Sequence, residues 1–144
     1  MPSPDPDPLA PGWPVGGSAN TDLCQLVAAA ADLCCKPWRH AVIGQSTAGG
    51  SLQVSDLDRL DGALRLEVRG PDGVRQPEQD LELELYRSGP DLHLTLGWCD
   101  DERPMLWHGH HPVWMNGTSG ERCARPQDGA PLEALARRLR ALLV

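Results

Sequence analysis

The sequence predicts an α+β fold: an antiparallel meander sheet of four to six strands, with an N-terminal and a C-terminal helix packed on one face. Three observations carry this. Leu81, Leu83 and Leu85 alternate with Glu82, Glu84 and Tyr86, and Leu92, Leu94, Leu96 and Trp98 alternate with His93, Thr95 and Gly97. Period-two spacing gives each run one apolar and one polar face, and Ser88-Gly89-Pro90-Asp91 between them has turn chemistry, so residues 80–98 form a hairpin. Second, both ends of the domain carry apolar residues at helical spacing. Third, a meander of this size needs an apolar cover, and those two helices are the segments available to supply it.

Residues 1–20, rich in proline and glycine, read as a disordered, solvated tail; residues 21–144 read as one domain. Pro8-Leu9-Ala10-Pro11 fits P-x-x-P but has no flanking basic residue. Asn20, Thr21 and Asp22 offer N-cap side chains for a helix running to Lys36, where Pro37 stops it. Its stripe is Leu23, Leu26, Val27, Ala30, Leu33 and Cys34; Cys24 and Cys35 sit at its boundary, and Asp32 and Lys36 are spaced for an ion pair. Short strands are expected at 41–43 and 52–54 around the Gly44–Ser51 loop, with a turn at 57–62. Ala63–Arg69 is a strand with Leu64, Leu66 and Val68 inward, and its Arg65/Glu67/Arg69 face is expected beside Glu82 and Glu84. Gly70–Gln79 is a polar loop containing Pro-Asp-Gly, and Met105–His110 is a further strand ending before Pro112. The last helix carries Leu132, Leu135, Ala136, Leu139, Leu142 and Leu143 on one stripe, with Pro131 in its first turn. Glu133 lies early and Arg137, Arg138 and Arg140 late, an order that suits the helix dipole.

Composition excludes several classes. A formal net charge of −7, with the arginines scattered, disfavours nucleic acid and anionic membrane surfaces as partners. No apolar run approaches the ~20 residues of a membrane helix, and the first residues lack the pattern of a signal peptide. Five cysteines without paired C-x-x-C spacing argue against a disulfide framework or a zinc ribbon. Five Trp beside no Phe, and Lys36 as the only lysine, point to a GC-rich, bacterial coding bias. The expected location is cytoplasmic.

Chemistry concentrates in residues 98–123, which hold Trp98, Trp107, Trp114, His108, His110, His111, Cys99 and Cys123. The expected function is a non-catalytic binding domain, engaging a protein partner or a small ligand through Trp98, Trp107, Trp114 and His111, or self-associating, with no cofactor. The alternative is a zinc- or thiol-dependent enzyme. His108 and His110, two apart on a strand, project from one face as two imidazole ligands do, with Cys99 a candidate third. The H-x-H spacing resembles that of cupins, but Trp114 and Met115 stand where that family has a glutamate. Cys99 or Cys123 beside a histidine is the thiol version. Gly44-Gln45-Ser46-Thr47-Ala48 resembles a nucleophile elbow but ends in Ala, and the same loop lacks the lysine of a phosphate loop. Asn116-Gly117-Thr118 matches a glycosylation sequon and is read as a tight turn. A small acidic α+β chain is similar in class to type III secretion chaperones, which differ in having a helix between the strands; none is predicted here.

Overall fold

The structure, a computed structural model, describes residues 22–44, 53–54, 63–88, 90–100 and 102–143. The tail (1–20), most of the 44–51 loop, Leu52, the 57–62 turn and Gly89 lie outside the described residues. The elements are α1 (Leu23–Cys34), β1 (Arg39–Ile43), β2 (Leu64–Arg69), a 3-10 turn (Pro77–Gln79), β3 (Leu81–Ser88), β4 (Asp91–Trp98), β5 (Met105–His108), β6 (Pro112–Met115) and α2 (Ala130–Leu143). The strands form one six-stranded antiparallel sheet in the order β1-β2-β3-β4-β5-β6.

The alternating leucines do what their spacing requires. Leu64, Leu66 and Val68 of β2, Leu81, Leu83 and Leu85 of β3, and Leu92, Leu94, Leu96 and Trp98 of β4 are all buried. They face Leu23, Val27, Ala30 and Ala31 of α1 and Leu132, Leu135, Ala136, Leu139 and Leu143 of α2 in one core cluster. Both helices therefore cover the same sheet face. Asp22 caps α1, its Oδ1 accepting from the Gln25 N–H at 3.1 Å.

Several details depart from the sequence expectation. Leu33 is 53% exposed and Leu142 44% exposed, because each sits at the margin of its stripe. Cys35, expected at the boundary, is buried; Cys34, expected in the core, is only partly so. Asp32 turns to β1 rather than to Lys36: its Oδ1 accepts from the His40 N–H at 2.8 Å and pairs with His40 Nδ1 at 3.0 Å. Of the 52–54 strand, Gln53 makes an isolated bridge to Asp22. The fifth strand stops at His108, and the sixth, Pro112–Met115, lies where the sequence reading placed none. Pro112 can open β6 because that strand is the sheet edge and the first position needs no ladder donor.

The cross-strand charge expectation is met only in part. Arg65 stands opposite Glu82, but its guanidinium bonds Asp80 Oδ2 at 3.0 Å. Asp80 is 1% exposed and is the anchor of the β2–β3 connection. Arg75 grips both its oxygens (2.9 and 3.0 Å), and the Val68 N–H donates to Oδ1 at 2.9 Å. The Pro-Asp-Gly loop brings Arg75 back onto Asp80, with Gly73 at φ +86 closing the turn.

Candidate functional site

One residue of register decides where the tryptophans go. Leu106 pairs with Trp114 and Trp107 with Val113, so Trp114 falls on the helix-covered face and Trp107 on the opposite one. Trp98 and Trp114 are 7% and 4% exposed and stack at 6.3 Å. The Arg103 guanidinium lies 3.6 Å over the Trp98 ring and pairs with Asp128. Trp114 Nε1 donates to Glu133 Oε2 at 2.7 Å, tying β6 to the first turn of α2. These two rings are internal, and the structure does not join them to Trp107 in one surface.

Trp107 lies on the sheet face opposite the helices, in an aromatic clip. Tyr86 and Trp107 each stack on His93 at 5.7 Å, and the indole Nε1 donates to the Tyr86 hydroxyl at 2.8 Å. Tyr86 is directly opposite His93, while Trp107 reaches it from the diagonal position. Behind the clip is Gly109, where an added Cβ would stand 2.6 Å from Trp107 Cη2 and 3.0 Å from His93 Nδ1. Gly109→Ala is therefore expected to push the indole off His93 and cost about 1–3 kcal/mol, read as a lower urea midpoint and a changed tryptophan emission.

Beside the clip, Gly97 leaves a gap in the same face. The groove there is about 150 Å³, lined by Glu82, Glu84, Thr95, Gly97, Asp100, Arg103 and Met105 among others. The Thr95 hydroxyl donates to Glu84 at 3.2 Å. Tyr86 and Met105 are exposed. Neither Tyr86 nor His93 was singled out in the sequence, although their opposition follows once the hairpin register is fixed.

The histidines of residues 108–111 differ in burial. His108 ends β5 on the covered face and is buried, whereas His110 and His111 are exposed in the turn before β6. His108 is aligned with Leu94, and Cys99 lies five residues further along (99 − 94), roughly 16 Å at ~3.3 Å per residue. His108 and His110 line one recess, but Cys99 is remote from His108, and no group of three or more His, Cys, Asp or Glu suited to a metal occurs among the described residues. Cys24, Cys34, Cys35 and Cys123 carry free thiols; burial pushes Cys35 up to about 12 and, with Asp22, raises Cys24, so neither is poised as a thiolate. Cys123 donates its backbone N–H to the Trp114 carbonyl. Asn116 forms the expected turn, its Oδ1 accepting from the Thr118 and Ser119 N–H groups, with Gly120 at φ +77.

The protein is thus an α+β domain whose six-stranded meander has one face sealed by two helices and the other, among the described residues, without a covering element and carrying an aromatic clip beside an acidic groove. Among the described residues, no helix is long and apolar enough to cross a membrane. The chain belongs to the family described as Domain of unknown function (DUF8659), whose model matches residues 24–142. No curated protein and no solved structure matches it.

Proposed function

We propose that this is a non-catalytic interaction domain whose sheet face opposite the helices binds a polypeptide segment carrying basic residues beside an apolar side chain. The observation that carries this reading is the pairing of exposed Tyr86 and Met105 and half-buried Trp107 with carboxylates on that face. Tyr86, Trp107 and Met105 are residue types enriched at the centres of interfaces, and Glu82, Glu84 and Asp100 line the groove that Met105 shares. The net charge of −7 would draw a basic partner from a distance. Free thiols at Cys24, Cys34, Cys35 and Cys123 support a reducing compartment, the cytoplasm, as the place of action.

Selection of binders from a random peptide library tests this, with immobilised full-length protein as bait. Enriched peptides should carry Lys or Arg next to an apolar residue. Trp107→Ala should weaken them by about 30-fold, equivalent to ~2 kcal/mol, and the exposed reversal Glu84→Lys, which leaves the core untouched, by about 10-fold. Peptides that bind both variants as well as the parent chain, or a library that yields none, would reject the reading.

A further inference from the structure

At the far end of β5 from Cys99, the β5–β6 turn and the last turns of α2 enclose an open recess of about 450 Å³, lined by His108, His110, Arg137, Arg140 and Ala141. His108 is 3% exposed, and its Nδ1 lies 3.2 Å from the Gly109 carbonyl. A carbonyl only accepts, so Nδ1 carries the proton and Nε2 of the neutral ring is a bare lone pair. That Nε2 is buried and has no hydrogen-bond partner among the described residues. A buried acceptor left so is costly unless something donates to it. The two arginines beside it have no carboxylate partner among the described residues; Arg140 is held in place by its Nε, which donates to the Leu92 carbonyl at 3.1 Å.

We propose that this recess binds the phosphate group of a small molecule, either inorganic phosphate or a phosphate monoester. The guanidiniums call for an anion, and the His108 lone pair calls for a donor. A carboxylate at neutral pH offers the charge without a proton. A phosphate monoanion offers both: its ionised oxygens face Arg137 and Arg140, and its hydroxyl donates to Nε2 once the shielded edge of the ring turns into the recess. The second ionisation of a phosphate falls at about 6, so the monoanion is roughly a tenth of the total at pH 7, and donation to Nε2 selects that form. Burial, and then Arg140, Arg137 and His111, hold His108 below its ordinary pKa against the opposing Gly109 carbonyl, which keeps the ring in the accepting form. The late position of the arginines in α2 suits the helix dipole as well, but the dipole does nothing for the buried Nε2.

The test is nitrogen-15 NMR of the histidine rings in the full chain, titrated with inorganic phosphate, with glycerol 3-phosphate and with sulfate. Sulfate has the same shape and no proton to give. The His108 Nε2 resonance should move with phosphate and saturate with a Kd of roughly 0.1–1 mM, with sulfate at least tenfold weaker. Arg137→Gln, on an exposed helix position, should weaken phosphate about fivefold without unfolding the chain. Tighter binding of glycerol 3-phosphate would mark an organic phosphate as the ligand, and weaker binding would mark free phosphate. Sulfate binding equal to phosphate, an unmoved His108 at ~10 mM phosphate, or an Arg137→Gln variant that binds as the parent does, would overturn the proposal.

Discussion

Asp80→Asn is expected to lower the unfolding free energy by about 3 kcal/mol, as a reduced urea midpoint with an unchanged slope. The substitution keeps the shape and removes the charge. Arg75 then loses its two-pronged acceptor and Arg65 its partner, while one amide oxygen can still take the Val68 N–H. The arginines are half-exposed and can return to water, so the loss is concentrated at the buried carboxylate position. The same residue sets the acid limb of stability. Burial opposes the charge on Asp80, but Arg75, the Val68 N–H and Arg65 outweigh it and lower the carboxyl from 3.8 to about 2. A depressed folded pKa means that this contribution is complete above the unfolded value and disappears as pH falls from about 4 through 2. The parent chain should lose stability over that window more steeply than Asp80→Asn. Parallel curves for the two proteins would show that the carboxylate does not hold the β2–β3 connection.

Trp114→Ala should cost about 3–5 kcal/mol, the range for emptying a large aromatic site. It removes the stack on Trp98, the bond to Glu133 and the wall against which Gly129 packs, where a Cβ would come within 2.8 Å of Trp114 Cζ2. Trp114→Phe keeps a ring in place and drops the indole N–H, leaving Glu133 with Arg125 at 3.2 Å as its remaining side-chain partner; it should cost markedly less. Chemical denaturation distinguishes the two, and a Trp114→Ala protein as stable as the parent would contradict the placement of this ring as the joint between β6 and α2. The contrast with Trp107 is direct: one tryptophan is expected to report through stability, the other through binding.

The architecture was legible because period-two leucines leave a sheet no choice of inner face, and two amphipathic helices leave it little choice of cover. The β2 to β4 core residues could be named from spacing alone, and so could the buried stripe of α2 apart from Leu142. The site was less legible. Trp98, Trp107 and Trp114 look alike in a sequence, yet a single residue of register sends Trp107 to the face opposite the helices and Trp114 to the core. His108 and His110 looked like a pair only for as long as the strand was drawn through both. It ends at the first of them, and the pairing of β5 with β4 sets Cys99 far along the sheet from His108.

Asp80 gave no signal either, since its arginines come from positions 65 and 75, and only the folded loop brings them to one carboxylate. The alternation of side chains is a local property of the backbone, and it determined by itself the α+β class, the hairpin and the core. Where strands end, which register they take and which distant charges meet are properties of the assembled sheet, so the aromatic clip, the buried aspartate and the arginine-flanked histidine were decided only by the tertiary structure.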